Sequence, residues 1–263
     1  MEPSVELFQF LYSPYNEKAR WALDLKNVPH RRTSLLPGPH IQKVRGMTGQ
    51  TATPVLRLDG EAIAGSARII ERLDALYPEP RLIPDGAAER ERALSIERRF
   101  DEEWTPRMRR AVLDALLTDY RYFARVFGAD KTGLKRFGYG CVLPLARGLI
   151  CKGNGITGKA AVEDGVKAIA EAFDFVARET NGTGYLVGGR FTVADLTAAS
   201  SLASVADPPH PDMARPQPMP PALAALIERN RNHPGRAWVM SMYERHRPAC
   251  SAKAKRAERV PGA

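Results

Sequence analysis

A junction near the start of this chain limits its possible folds more than any other feature. The apolar run Leu7-Phe8-Gln9-Phe10-Leu11 reads as a strand, and Ser13-Pro14-Tyr15-Asn16-Glu17-Lys18-Ala19-Arg20 then opens a helix that continues through Trp21, Ala22 and Leu25. A strand that hands a polar turn directly to a helix leaves free N–H groups and the positive end of the helix dipole at one corner. Such a corner favours an anion. Thr53-Pro54-Val55-Leu56 adds a second constraint, because its proline stands just ahead of another apolar strand. Proline is tolerated in a sheet only at an edge or at a strand's start.

Between and after these two stretches the pattern alternates. Val5 to Leu11 predicts a strand and Glu17 to Asn27 a helix; the segment around His30 to Leu36 predicts a second strand, followed by the loop Pro37-Gly38-Pro39. His40 to Arg45 reads as a short helical piece. Val55 to Leu58 and Ala62 to Ala64 flank Asp59-Gly60, a strong hairpin signal. Gly65-Ser66 then starts a helix with Ile69, Ile70, Leu73 and Leu76 at helical spacing, ending at Tyr77-Pro78. The order β-α-β-α-β-β-α resembles a thioredoxin-like domain.

Pro78, Pro80 and Pro84 mark a linker, and beyond them the pattern is helical. A long helix is predicted from about Ala88 to Phe127, with a kink or break at Pro106, and a second from Lys131 to Lys152, interrupted at Pro144. A third runs from Lys159 to about Thr180. Thr192 followed by Asp195 is an N-cap pair, so Phe191-Thr192-Val193-Ala194-Asp195-Leu196 starts a buried helix. The proline-rich stretch from Asp207 to Pro221 predicts an irregular loop, with short helices after it near Ala222 to Asn232 and Gly235 to Glu244.

An α/β unit followed by a helical unit with a capped interior helix resembles the glutathione transferase superfamily. Three features carry the resemblance: Ser13 to Arg20 after the first strand; Thr53-Pro54-Val55-Leu56 with Gly65-Ser66-Ala67-Arg68-Ile69-Ile70; and Phe191 to Leu196. It covers the chain from Val5 to about Arg245. It implies a thioredoxin-like α/β domain over 1–84, which binds glutathione, and an all-helical domain over 85–250; the basic run in 251–263 reads separately as a solvated, disordered tail. The resemblance further implies a homodimer, and conjugation of the glutathione thiolate, as co-substrate, to a small hydrophobic electrophile in a detoxifying role.

Such chemistry requires a lowered thiol pKa, since a free thiol near 8.5 is mostly protonated at neutral pH. In the family the thiolate donor sits at the end of the first strand, and Ser13 holds that position, with Arg20 seven residues on. Ser13 also suits an N-cap. Tyr12 and Tyr15 compete for the sulfur, Tyr12 reading as a packing residue and Tyr15 as a cavity wall. Asn16 stands where a dithiol motif would carry its second cysteine, which disfavours disulfide exchange. The resemblance implies a cis bond before Pro54 that frees the Val55 backbone to pair with the cysteinyl part of glutathione. Ser66 at a helix N-terminus resembles the residue that binds the γ-glutamyl carboxylate. Gly65 departs from the pattern, since the family has Glu or Asp there to meet the ammonium. His40, Gln42 and Lys43 are candidates for the glycyl carboxylate. Of Trp104, Met108, Tyr120, Phe123 and Phe127, the residues Trp104 and Met108 are nominated for the hydrophobic substrate pocket, against a plain core role.

The net charge of +9 is compatible with nucleic acid, an anionic membrane face or small acidic ligands. The basic residues read as spread along the chain, part of them in the tail Lys253 to Arg259, and no nucleic-acid-binding signature accompanies them. Neither nucleic acid nor a membrane is therefore expected as a partner. No apolar run approaches the roughly 20 residues of a spanning helix. Met1-Glu2-Pro3-Ser4 does not read as a secretory signal, and three scattered cysteines without metal-type spacing fit a reducing cytoplasmic setting with no metal. Gly153 to Lys159 matches a phosphate-loop pattern, but Ala160 replaces the required Ser or Thr and no strand precedes it. Two alternatives to the enzyme are a non-catalytic relative that binds a hydrophobic ligand or protein partner, which Gly65 favours, and a protein-assembly module.

Overall fold

The computed structural model describes residues 4–248. The expected disordered tail and Cys250 lie outside them. The α/β part follows the expected order: β1 (Val5–Gln9), α1 (Pro14–Leu25), β2 (Arg31–Ser34), α2 (His40–Thr48), β3 (Val55–Leu58), β4 (Glu61–Ala64) and α3 (Ser66–Leu76). The four strands form one mixed sheet in the order β2-β1-β3-β4. β1 runs parallel to β2 and antiparallel to β3, and the β3–β4 hairpin turns at Asp59 and Gly60, which have φ of 49° and 93°. Two consecutive positive φ values are what a tight hairpin turn demands of its central pair.

The helical part comprises α4 (Ala87–Arg98), α5 (Thr105–Leu116), α6 (Tyr120–Phe127), α7 (Gly133–Gly153), α8 (Lys159–Glu179), α9 (Val193–Ala206), α10 (Pro221–Glu228) and α11 (Pro234–His246). The long helix predicted from Ala88 to Phe127 is three helices. A π-helical segment, Arg99–Trp104, joins α4 to α5 without a break in helical backbone, and Pro106 follows it in the first turn of α5; Thr105 N still donates to Phe100 O, while the next carbonyl, Asp101 O, accepts from Tyr15 Oη at 2.7 Å. α7 passes through Pro144 without ending there. Pro144 is exposed, so water can satisfy the carbonyl that its ring leaves without a donor.

α9 is the centre of the molecule, with all fourteen of its residues buried. It begins in a capping box. The Asp195 carboxylate accepts from the Thr192 backbone N–H and hydroxyl at 2.9 and 3.0 Å, and from the Leu186 N–H at 2.8 Å. Val193 N donates to Leu82 O at 2.9 Å, which ties this helix to the linker before α4. The linker is held at its other side by Asp74, which accepts from the backbone of Leu82 and Ile83 and pairs with Lys26 at 2.7 Å. One hydrophobic cluster runs from Leu7, Trp21 and Ile69 of the α/β part through Ile96 and Phe173 to Leu202 and Val239. The two parts share a core.

Candidate functional site

Sheet register brings the separate motifs together. Phe8 pairs with Val55, and Val55 pairs with Ala64, so the C-terminal end of β1, the start of β3 and the end of β4 lie side by side. Ser13, Pro54, Gly65 and Ser66 each follow or precede these positions by a few residues. The Thr53–Pro54 bond is cis, as are Glu79–Pro80 and Gln217–Pro218. Asn16 Nδ2 donates to Thr53 Oγ1 at 3.0 Å, and Gly65 N donates to Pro54 O at 3.0 Å. The first turn of α1, the proline loop and the start of α3 are thus joined by two hydrogen bonds at one corner.

Two helix N-termini at this corner lack side-chain caps. Ser13 occupies the N-cap position of α1 in an extended conformation, makes no side-chain cap bond, and leaves its carbonyl to accept from Asn16 and Glu17 N–H at 3.1 and 2.9 Å. Gly65 precedes α3 with φ of 90° and has no side chain to cap it; Ser66, the first residue of α3, is buried. Uncapped first-turn N–H groups attract anions. Asn16 Oδ1 is buried at the same corner without a hydrogen-bond partner.

Both tyrosines beside Ser13 have committed their protons. Tyr12 Oη donates to Ala214 O, and Tyr15 Oη donates to Asp101 O at 2.7 Å. Burial raises both phenols, Tyr15 up to about 12, so neither ionises near neutrality. Among the described residues, Ser13 has the one hydroxyl of these three that is not spent on a hydrogen bond.

Several nominated residues stand elsewhere or in other roles. Val55 is fully buried in an interior strand, flanked by Phe8 and Ala64, so its backbone belongs to the sheet ladder and not to an open edge. Thr53, across the cis bond, is the neighbour outside that ladder. His40 presses against Phe10 at 4.7 Å between ring centroids and accepts from Gly38 N at 3.0 Å; burial lowers its basicity, which makes it a poor cation for a carboxylate. Gln42 is exposed, and Lys43 Nζ lies 4.7 Å over the Phe8 ring. Trp104 and Met108 are 2% exposed and belong to the helical core, Trp104 packing against Phe100 and Phe175 at 4.8 and 5.0 Å. Helical periodicity placed them on an apolar face but could not say that this face packs into the core, Trp104 against Phe175 of α8. The helical side chains that meet the β1 end are those of α6: Phe127 packs edge-on to Phe10, and Phe123 lies in the same cluster as Phe10, Tyr12 and Leu36.

Arg20 faces inward. Its guanidinium pairs with Glu17 at 2.7 Å and donates to Gln9 Oε1 at 2.8 Å. Around it lies a buried ionic hub that no local pattern announced. Arg247, just past α11, binds Glu17, Asp24 and Asp212 at 2.8, 2.7 and 2.6 Å, and Arg32 bridges Asp24 and Asp212 at 2.5 and 2.8 Å. Burial works to raise Glu17 and Asp212, but the surrounding arginines hold both below the ordinary carboxylate range. Among the described residues no three of His, Cys, Asp and Glu gather as a metal site.

Comparison with known proteins places these features. The N-terminal domain of glutathione S-transferases matches residues 7–81, and the C-terminal domain of the same family matches residues 155–239, together more than half of the chain. A maleylpyruvate isomerase from Ralstonia sp is 27% identical over 133 residues, which span 49% of this chain and 59% of the isomerase. A glutathione S-transferase from Methylobacillus flagellatus KT, solved with glutathione bound, superimposes with a TM-score of 0.62 at 17% identity, covering 92% of this chain and 96% of that one. A bacterial maleyl pyruvate isomerase of the zeta class superimposes with a TM-score of 0.54 at 21% identity, covering 89% and 95%. At these identities the likeness to the solved structures is one of fold.

Proposed function

This chain belongs to the glutathione S-transferase superfamily, and we propose that it uses glutathione, holding the tripeptide at the corner between α1, the Pro54 loop and α3 and joining its sulfur to a small hydrophobic electrophile. Family membership supports glutathione-dependent activity in general. The observation that carries the finer reading is the uncommitted Ser13 hydroxyl at an uncapped helix start, beside two tyrosines whose protons are engaged.

In this reading Ser13 Oγ–H donates to the sulfur and the α1 N-terminus adds its positive potential, so the thiol releases its proton to solvent near neutral pH. Lowering a thiol pKa by about two units corresponds to roughly 2.7 kcal/mol, within reach of one hydrogen bond plus a helix end. The thiolate then attacks the electrophilic carbon, forming the C–S bond as the carbon's bond to its leaving group breaks and that group departs as an anion to solvent, chloride in the case of chlorodinitrobenzene. The Thr53 backbone, outside the ladder, pairs with the cysteinyl residue, and the α3 N-terminus with Ser66 takes the γ-glutamyl carboxylate.

Gly65 and the packed wall of Phe10, Tyr12, Phe123 and Phe127 favour a second reading, in which the corner binds a ligand without turnover. Retention on immobilised glutathione together with chlorodinitrobenzene conjugation separates the two. Under the first reading Ser13→Ala cuts the conjugation rate at least about tenfold while stability changes by less than about 0.5 kcal/mol, because no cap bond is lost. Retention without conjugation favours the second. Full activity in Ser13→Ala reduces Ser13 to a backbone position and returns the tyrosines to contention.

A further inference from the structure

We propose that α7 lies in the plane of an anionic lipid surface, with its outward face docked among the headgroups. Leu134, Phe137, Val142, Leu145 and Leu149 are 83, 71, 57, 86 and 77% exposed; elsewhere only Ile41 and Leu76 appear as exposed large apolar side chains among the described residues. At 100° per residue these five fall within an arc of about 140°, a continuous apolar stripe. On the opposite side Leu143 is buried against the α6 cluster, and Tyr139 Oη donates to Pro37 O at 2.9 Å. The helix is therefore anchored by one face and bare on the other. Apolar patches of this kind mark interaction surfaces.

Charge selects the occupant. From Lys131 to Lys159 the chain contains no Asp or Glu; Lys135 and Lys152 border the stripe, while Arg136 and Arg147 lie toward the opposite side, Arg147 facing Asp114 of α5 at 4.0 Å. Lys135 stands near one end of the stripe and Lys152 near the other, both exposed. Two copies pairing through this face would bring those lysines together, Lys135 near Lys152 in the antiparallel sense and each against itself in the parallel sense, with no acid in α7 to neutralise them. An anionic bilayer supplies the missing counter-charge, and the lysine stems can lie on the stripe while their heads reach phosphates. No helix among the described residues is long and apolar enough to cross a membrane, so α7 is suited to lie on one. Read along the chain, the basic residues gave no such direction; the fold gathers an acid-free segment on one exposed helix.

The test is co-sedimentation of the full chain with vesicles of phosphatidylcholine alone or with about 30% phosphatidylglycerol. The wild type is expected to bind the anionic vesicles at least about tenfold more tightly than the neutral ones, and to lose about tenfold in affinity in 0.5 M-range salt, where screening is strong. The double variant Leu145→Glu, Leu149→Glu should lose anionic-vesicle binding with an unchanged melting curve, since both side chains are solvent-exposed. No binding by the wild type overturns the proposal and assigns the face to a protein partner. Undiminished binding by the double variant overturns it in favour of another basic surface. A wild-type dimer in lipid-free light scattering that the double variant disperses also overturns it, because the face then pairs with its own copy.

Discussion

The two ends of α1 contrast. At its N-terminus Ser13 leaves the helix uncapped, and Asn16 buries an oxygen that finds no partner. On the inward side of the same helix Glu17, Arg20 and Asp24 are closed into a hub in which, among the described residues, three carboxylates meet three guanidiniums. The unmet groups at the first site are a helix start and a buried amide oxygen; at the second, carboxylates and guanidiniums of the protein pair with one another. Arg20 illustrates the division. It belongs to the sequence motif after β1, yet its guanidinium turns inward to Glu17, Gln9 and the Phe10 carbonyl.

The sharpest way to break this contrast is to remove a charge from the hub. Arg247→Leu leaves Glu17, Asp24 and Asp212 with one cation fewer in a buried setting and is expected to cost about 3–5 kcal/mol, read by urea unfolding; a loss below 1 kcal/mol would make the hub as undemanding as a surface pair. Next in size is a pH effect at α9. Burial pushes the Asp195 carboxyl up to about 6 from an ordinary 3.8, against the hydrogen bonds that it accepts. The folded chain therefore holds this proton more tightly than the unfolded one. The associated stability is full below about pH 4 and is lost as pH rises through about 6, a change of roughly 3 kcal/mol. Asp195→Asn removes this titration, so its cost relative to wild type should be largest at acid pH and shrink by about that amount at pH 7. An equal cost at both values would rule out the raised carboxyl. The smallest effect probes the open end. Gly65 has φ of 90° and free space where a Cβ would stand, so Gly65→Glu costs about 1–2 kcal/mol through backbone conformation alone. If the corner holds glutathione, the same change tightens glutathione binding several-fold in calorimetry by giving the ammonium a carboxylate.

What could be read from the sequence was local. The β1–α1 junction, the Asp59-Gly60 turn and the Thr192–Asp195 cap each depend on residues within a few positions of one another, and each stands where the pattern put it. The places of Ser13, Pro54 and Ser66 at element boundaries depend on local pattern too, and sheet register brings those boundaries to one corner. The hub was not legible, because Glu17 and Arg247 are joined only by the tertiary fold. Periodicity named Trp104 and Met108 as apolar without fixing the neighbour that they face. Pro144 carries a general penalty for helix interiors, yet local exposure lets α7 continue through it.

The hub also bears on how the chain is made. Glu17 with Arg20, and Asp24 with Arg32, are matched pairs within the earliest part to be synthesised, while Asp212 and Arg247 are matched to each other and arrive last. Counted over the described residues, each half reaches the encounter electrically neutral at this spot. The late segment slots a balanced pair between two balanced pairs, so at no stage of assembly does the nascent protein have to shelter an uncompensated charge there while it waits for its own far end.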